Sequence, residues 1–275
     1  MQTRTFYPSP ALQAFISHYR IWKYPALNAT ITVKDFPRTM MDMIFFFDGN
    51  IQLSIDKKNF QHLNTCAFVG HFDRAYEICS RESLEVLNVR FRPNGVYPLT
   101  KIPMQKLLNS HIHLGELIEE DVKEWHEKLA EAKEDNQKIV VLERLLLDLY
   151  QKNELHHRLD YGIRQIQKHK GLMSVQNLAN SLNTNYKSLD RWFSKKVGVS
   201  PKRFLQLTRF KYILDEIEQS KNMDWMQLVV DYRFHDQAHF TKEFKQFAGV
   251  TPSQFRAGLQ NTSITSPLNT LYQID

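Results

Sequence analysis

The sequence predicts an α+β protein in which a β-rich N-terminal domain precedes a helical hairpin and an all-α C-terminal domain. Two observations lead to this prediction. Short apolar segments separated by turn residues run from about residue 25 to residue 92, which is typical of antiparallel strands. Beyond residue 113 apolar residues recur at helical spacing, and one pattern is present twice. The expected divisions are 1–112, 113–155, 156–260 and a flexible tail at 261–275.

The N-terminal domain is predicted to begin with a short amphipathic helix over residues 10–24 and to continue as strands. The run 43–47 is wholly apolar, Asp48-Gly49-Asn50 favours a turn, and the alternation over 51–55 completes a predicted β-hairpin. Many short strands without intervening helices indicate an antiparallel sandwich or small barrel. The further strands are predicted at 65–70, 74–80 and 84–92.

Residues 113–152 return to helical spacing and predict a helical hairpin with a polar break at 132–137. One apolar stripe consists of Leu114, Leu117, Ile118, Trp125 and Leu129, and the other of Leu142, Leu145, Leu146 and Leu149. Such faces pack within one chain or between two chains. The hairpin therefore either closes the core of the first domain or forms the seam of a homodimer.

The repeated pattern lies between Ser174 and Pro252, and its two copies are offset by 50 residues in their first helix and 51 in their second. Ser174 and Asp224 are placed to cap the first helix of each copy, and Asn185 and Asp236 to cap the second. A capped helix, a short turn and a second capped helix form a helix-turn-helix unit. The sequence therefore predicts two such units, at 174–197 and 224–247, joined by a linker helix at 201–219.

The outer face of the second helix in each unit is rich in basic and hydrogen-bonding residues. Lys and Arg neutralise phosphate and reach guanine edges, Gln binds adenine, and Thr adapts to either kind of partner. A linker helix of about 28 Å, at roughly 1.5 Å per residue, could present both helices to consecutive major grooves about 34 Å apart. One chain could then contact two boxes of one double-stranded DNA site. Lys195, Lys196, Thr241 and Lys245 are the expected phosphate contacts.

Ordinary bundle helices with solvated charged faces are the alternative interpretation. The distribution of charge favours nucleic acid, because residues 157–260 hold 17 Lys or Arg against 9 Asp or Glu, a net charge of +8. Residues 1–156 hold 19 against 20, a net charge of −1. The excess of positive charge therefore coincides with the repeated units.

The stretches SVQNLANSLNTNYKSLDRWFSKKVGVSP and QLVVDYRFHDQAHFTKEFKQFAGVTPSQFR resemble the DNA-binding domain of the AraC/XylS family of bacterial transcription regulators. Asn183 and Arg233 occupy the turn positions where that family usually has Gly, and Arg233 implies either a rearranged or a strained turn. RNA polymerase is an expected partner of such a regulator. The resemblance implies base contacts by Lys187, Asp190 and Arg191 in the first unit, and by Gln237, Ala238 and Lys242 in the second.

Members of that family with this organisation often carry a cupin-like N-terminal domain that senses a small molecule or a partner, and residues 88–95 resemble one such sensor type. The resemblance implies an unidentified small-molecule effector. A barrel lumen could hold it, or the same aromatic residues could simply form the core. Arg90 or Arg92 could lie near a bound apolar or anionic compound, or both could face solvent if Val89 and Phe91 point inward. The candidate ligand-binding residues are Phe45, Phe47, Phe68 and Phe91.

No cofactor or metal is expected, because His111 and His113 have no third ligand at a matching interval and Cys66 and Cys79 have no metal-binding pattern around them. The chain is therefore not expected to be an enzyme. The competing classes are a DNA-binding adaptor without a ligand, a cupin-type metalloenzyme and a DNA-repair fusion. The most apolar run, 40–47, is too short to cross a bilayer, so no membrane partner and a cytoplasmic location are expected.

Overall fold

The computed structural model describes residues 2–26, 30–150, 156–220 and 222–261. Two antiparallel sheets form the N-terminal part and helices form the C-terminal part, which confirms the predicted α+β class. The predicted flexible tail beyond residue 261 lies outside the described residues.

The two sheets face each other as a sandwich and do not close into a barrel. Their facing sides share one apolar cluster, in which Trp22, Ile44 and Val86 pack with Leu53 and Ile78. The larger sheet has the order β1 (Gln2–Phe6), β2 (Ile16–Tyr24), β9 (Leu84–Phe91), β4 (Met41–Asp48), β7 (Cys66–Val69) and β10 (His111–His113). The smaller sheet has the order β3 (Ile31–Asp35), β8 (Tyr76–Ser80), β5 (Gln52–Ser54) and β6 (Gln61–His62).

The helix predicted over residues 10–24 is wrong, because residues 16–24 form the inner strand β2 between β1 and β9. Tyr19 and Ile21 of this strand pack into one core cluster, and Trp22 and Tyr24 pack into another on the opposite face. A strand that is buried on both faces loses the alternation of polar and apolar residues. The spacing of apolar residues from Leu12 to Tyr19 therefore matched that of an amphipathic helix although no helix forms there.

The hairpin predicted around Asp48-Gly49-Asn50 is also wrong, because β4 pairs with β7 and β9 whereas β5 pairs with β6 and β8. The turn instead carries the chain from one sheet to the other. Gly49 has φ +63°, and a Cβ there would lie 1.8 Å from the carbonyl oxygen of Ser83. Glycine is therefore required at this crossing. The strands predicted at 65–70, 74–80 and 84–92 are present as β7, β8 and β9.

The predicted helical hairpin is present and covers the outer face of the larger sheet. Its Leu129, Leu142 and Leu146 are fully buried in one cluster with Phe45 and Phe68 of the sheet. The hairpin therefore completes the core of the first domain. It consists of α2 (Val122–Glu131) and α3 (Asp135–Tyr150), and it follows α1 (Val96–Thr100) and two short 3₁₀ helices, Met104–Leu107 and Leu114–Glu116.

Seven helices form the described C-terminal part, and the four predicted caps are present. Each of Ser174, Asn185, Asp224 and Asp236 accepts a hydrogen bond from a backbone N–H in the first turn that follows it. None of the helices in the described ranges combines the length and the apolar character needed to span a bilayer. The helices are α4 (His157–Lys168), α5 (Val175–Ser181), α6 (Tyr186–Lys196), α7 (Pro201–Gln219), α8 (Trp225–Asp231), α9 (Gln237–Ala248) and α10 (Pro252–Asn261).

Candidate nucleic-acid interface

The turns of the two helix-turn-helix units have the same backbone conformation at equivalent positions. Asn183 has φ +45° and Arg233 has φ +55°, so the backbone of both residues adopts the left-handed helical conformation. The extra residue of the second unit therefore lies after Arg233 and before the cap Asp236. The sequence left open whether the turn at Arg233 was rearranged or strained. The structure shows an Arg in the left-handed region, which costs about 1 kcal/mol.

Two arginines hold these turns through backbone carbonyl groups. Arg158 of α4 donates from Nε to the carbonyl oxygen of Leu182 at 3.1 Å and also bonds the carbonyl of Asn183. Arg233 donates from Nη1 to the carbonyl oxygen of Leu172 at 3.1 Å. The two arginines thus donate to backbone carbonyl groups at the end of α5 and in the loop between α4 and α5, where these carbonyl groups have no partner within a helix.

The second helix of each unit is fixed by its buried side. On α6, Leu189 and Phe193 are fully buried, and Phe193 packs edge to face on Phe204 of the linker helix at 5.5 Å. On α9, Phe244 makes a similar contact with Phe210 of the same linker helix at 5.3 Å. Both helices therefore pack on α7 and direct their remaining faces outward. We call α6 and α9 the reading helices.

Glu243 is a positioning residue that the sequence analysis missed. It is the one acidic residue of α9, and its carboxylate is buried against α7. Arg209 donates from Nη2 to Oε1 at 2.6 Å, and Gln206 donates from Nε2 to Oε2 at 3.1 Å. The sequence did contain an indication of this role. Glu243 lies three residues after the buried Phe240, and this spacing places an acidic side chain on the core side of a basic helix.

The six proposed base-contacting residues lie on the outward faces of the reading helices. Lys187 and Arg191 are exposed on α6 and Asp190 is half-buried between them, while α9 exposes Gln237, Ala238 and Lys242. In the described structure, none of the polar side chains in this set makes a hydrogen bond or ion pair. Nearby cations that face the interior, such as Arg203 and Arg209, are engaged in ion pairs. The outward set is thus available to a partner outside the chain.

The four predicted phosphate contacts divide into two pairs. Thr241 is half-buried and Lys245 is exposed on α9 beside the base-contacting set. Lys195 and Lys196 instead end α6 near the first domain, with their Nζ atoms 5.6 Å and 5.4 Å from the ring centroid of Tyr97. Burial lowers the pKa of Lys196 from its ordinary value, and the neighbouring charges of Lys195 and Lys101 lower it further. This pair therefore lies where the two domains meet.

The four candidate ligand-binding phenylalanines do not line the space between the sheets. Phe45, Phe68 and Phe91 are fully buried in the cluster between the larger sheet and the helical hairpin. Phe47 is half-buried there, with the ammonium of Lys138 4.1 Å from the centre of its ring. The aromatic set thus packs as core against α2 and α3.

Of the two alternatives for these arginines, exposure to solvent is wrong for Arg90 and holds for Arg92. Arg90 is buried on the opposite face of the sheet from Phe91 and forms a bidentate pair with Asp42, with Nε to Oδ1 at 3.0 Å and Nη2 to Oδ2 at 3.1 Å. Burial raises the pKa of Asp42, but the charge and hydrogen bonds of Arg90 outweigh burial and hold that pKa below its ordinary value. The buried carboxylate therefore stays ionised.

The candidate metal and thiol residues are placed in the sandwich. His111 and His113 begin and end β10, a strand that the sequence did not predict and that pairs with β7. Among the described residues, no group of three or more His, Cys, Asp or Glu side chains is placed to hold a metal ion. Cys66 and Cys79 are free and buried, and burial raises the pKa of Cys66 to about 11. A thiol with that pKa is a poor nucleophile at neutral pH.

Two family models match the chain. Residues 4–113 match a domain of unknown function, DUF6597, and residues 178–258 match a helix-turn-helix domain of AraC type. The C-terminal part of the chain is therefore a helix-turn-helix domain of AraC type. This match begins in α5, ends in α10 and spans both reading helices. A domain of this type supports a function in DNA-binding transcription regulation.

Three solved structures, of two different proteins, are similar to this chain at low sequence identity. ToxT from Vibrio cholerae O395 is 12% identical over 88% of this chain and 98% of its own, with a TM-score of 0.45. Wild-type ToxT from Vibrio cholerae strain SCE256 with a bound unsaturated fatty acid is 14% identical over 86% and 94%, with a TM-score of 0.44. The AraC-like transcriptional activator CuxR is 13% identical over 78% and 87%, with a TM-score of 0.27. No curated protein sequence matches significantly.

Proposed function

We propose that this AraC-type protein recognises a bipartite double-stranded DNA site, with α6 contacting one box and α9 the other. The observation that carries the proposal is the pair of outward faces whose side chains have no partner within the described chain. Direct recognition of bases requires such side chains at the exposed surface of a helix that fits the major groove.

The residue types of the two faces favour different bases. On α6, Lys187 and Arg191 match the two acceptors of guanine, and Asp190 can accept from the exocyclic amine of cytosine. On α9, Gln237 matches adenine and Ala238 offers an apolar surface to a thymine methyl group, while Lys242 offers a further donor. We therefore propose that the box bound by α6 is richer in G·C pairs than the box bound by α9.

Phosphate contacts are proposed for Thr241 and Lys245 next to the second box, and for Lys195 and Lys196 next to the first. The net charge of +8 over residues 157–260 supports this electrostatic component. Affinity should fall steeply with salt, because each neutralised phosphate releases counterions. An affinity that stays constant between low and physiological salt would contradict the proposed interface.

The remainder of the proposal concerns regulation. The organisation comprises a sensor at 1–112, a hairpin at 113–155 and a DNA-binding domain at 156–260, and the sensor responds to a small molecule or to a protein partner. A ligand that reaches Phe45, Phe47, Phe68 and Phe91 would have to separate the α2–α3 hairpin from the sheet, since three of these rings are fully buried. An adaptor without a ligand is the second candidate. Thermal-shift screening of metabolites separates the two.

RNA polymerase and a second copy of the chain are the other proposed partners. The proposed homodimer would form through 113–152, where the outer face of α3 exposes Val140. Sedimentation that shows only monomer at high micromolar concentration would exclude the dimer. We propose no enzymatic activity, because a regulator that binds DNA requires none.

Selection of bound duplexes from a random pool by the full chain tests the main proposal. The expected product contains two short boxes whose centres are about one helical turn apart. Recovery of a single box would show that only one helix recognises bases, and recovery of no preferred sequence would remove the proposal.

A further inference from the structure

Three helix ends of the DNA-binding domain meet at the surface of the N-terminal domain. They are the C-terminal end of α6, the N-terminal end of α7 and the C-terminal end of α9, and we call their meeting point the reader junction. The loop 71–75 and the 3₁₀ helix Met104–Leu107 of the N-terminal domain pack into it. One surface of the first domain thus contacts both reading helices and their linker.

Asp73 is the central residue of this contact. Its carbonyl oxygen and its Oδ2 both accept from Nη2 of Arg203 in α7, at 2.7 Å and 3.4 Å. Asn109 holds the loop from within the first domain, because its Nδ2 donates to Oδ1 of Asp73 at 3.0 Å and its Oδ1 accepts from the backbone N–H of Asp73 at 3.0 Å. Asp73 is therefore fixed on one side by its own domain and on the other by the linker helix.

The same loop holds the end of α9. The backbone N–H of Ala75 donates to the carbonyl oxygen of Phe247 at 2.8 Å, where the helix would otherwise leave an acceptor unpaired. The guanidinium of Arg203 lies 4.2 Å from the ring centroid of Phe247, so one arginine contacts Asp73 and the second reading helix together. Phe36 adds an edge-to-face contact with Phe255 at 5.2 Å.

The end of α6 is held by close backbone packing. Gly198 has φ +101°, and a Cβ there would lie 3.0 Å from the carbonyl oxygen of Met104. His71 is buried beside this point, with its Nδ1 3.1 Å from the carbonyl oxygen of Arg38 and its ring next to the backbone of Val197. The C-terminal ends of the two reading helices thus both contact the same surface of the first domain.

We infer that Asp73 and Arg203 are positioning residues that fix the separation of α6 and α9, and so set the number of base pairs between the two boxes. The inference rests on the proposed bipartite recognition. The linker helix holds α6 by apolar packing, and it holds α9 by apolar packing together with the hydrogen bonds to Glu243. The junction adds hydrogen bonds from the first domain, and these oppose rotation of one reading helix against the other. Spacing selectivity is therefore a property of the full chain and depends on residues far from DNA.

The first test measures spacing selectivity with Asp73→Ala and Arg203→Ala in the full chain. The probes are a duplex selected by the unmodified protein and versions in which the boxes are moved one or two base pairs closer or further apart. The preference for the original spacing should fall by roughly three- to tenfold in Arg203→Ala, as expected when a charge-assisted contact is lost. It should fall by less in Asp73→Ala, because the backbone carbonyl of residue 73 can still accept from Arg203. Arg203→Lys should restore part of the preference. Unchanged selectivity in both variants would overturn the inference while leaving bipartite recognition intact.

Arg74→Ala is the matched control. Arg74 is exposed and donates to Asp73 within the first domain. Its removal changes the charge of the same loop but leaves the described contacts of Asp73 with Arg203 in place, so spacing selectivity should remain that of the unmodified protein.

A second test needs no DNA and therefore holds even if the selection recovers no bipartite site. Spin labels on Tyr186→Cys in α6 and Gln246→Cys in α9 report the distance between the reading helices, since both positions are exposed and the native thiols are buried. The expected distance distribution is narrow in the otherwise unmodified chain and broader when Arg203→Ala is added, because that variant removes both hydrogen bonds to residue 73. A distribution of unchanged width would overturn the inference.

Discussion

Arg209 of the linker helix donates a hydrogen bond of 2.6 Å to Glu243 of the second reading helix, and both side chains are largely buried. Gln206 donates to the other carboxylate oxygen at 3.1 Å, so both oxygens are satisfied. The orientation of α9 on α7 therefore depends on a charged contact inside an otherwise aromatic interface. Apolar packing alone specifies the orientation of a helix weakly, and the charged contact makes that orientation more specific.

Glu243→Ala should lower the free energy of unfolding by about 3 kcal/mol, because the guanidinium of Arg209 would remain buried without its partner. Urea denaturation measures the change. Asp231→Asn on the exposed surface of α8 is the control and should shift the same quantity by no more than about 0.5 kcal/mol. If both substitutions have equal effects, the buried pair contributes nothing to stability.

His71 should make the protein less stable in mild acid. Burial lowers its pKa to about 4, although nearby backbone groups of Arg38 and Val197 raise it in part. Because the folded state then binds its proton less readily than the unfolded state, the stabilisation is complete above about pH 6.5 and is lost as the pH falls toward 4. The loss should approach about 3 kcal/mol at the lower limit.

Denaturation across that pH range checks the assignment to His71. His71→Gln should flatten the dependence between pH 6.5 and 4, whereas His157→Gln at an exposed position should leave it unchanged. A dependence that persists in His71→Gln would assign it to other groups.

Arg191→Ala and Lys187→Ala should each weaken binding to a selected duplex by about 1–3 kcal/mol if the residue contacts a base. Lys168→Ala, at an exposed position near the end of α4 and away from both reading helices, is a control for general loss of charge. Titration at fixed salt measures the three affinities. Equal losses in all three variants would indicate electrostatic attraction without recognition by α6.

The turn at Arg233 should prefer glycine to alanine. Both Arg233→Gly and Arg233→Ala remove the bond to Leu172, so the difference between them isolates the backbone. At φ +55° the glycine variant should be more stable by about 1 kcal/mol, because only alanine retains a Cβ that conflicts with the left-handed conformation. Alanine equal to or better than glycine would mean that this turn carries no strain.

The helical half of the fold could be predicted from sequence because its determinants are local. The caps Ser174, Asn185, Asp224 and Asp236 act on N–H groups within the next three residues. The sheets could be predicted only as a set of strands. Partners such as β4 and β9 lie about forty residues apart, and nothing near Gly49 specifies that the chain leaves its sheet there.

The candidate site shows the same division. The outward residues of α6 and α9 follow from helical spacing, whereas Asp73 and its partner Arg203 are 130 residues apart and belong to different domains. Glu243 could be identified from sequence as the one acidic residue of a basic helix, but its pairing with Arg209 could not be predicted. Contacts between distant segments depend on the packing of whole elements, which no local pattern records.

The position of the α2–α3 hairpin over the larger sheet bears on how the protein can be divided. A fragment that stops at residue 113, where the DUF6597 match ends, would contain every strand described here yet leave Tyr19, Phe45 and Phe68 facing water. During synthesis the same face of the larger sheet stays uncovered until α3 has left the ribosome. The ribosome must therefore add about forty residues after residue 113 before this aggregation-prone aromatic surface can be buried. Truncations meant to isolate the first domain should extend at least to Tyr150 to remain free of aggregation.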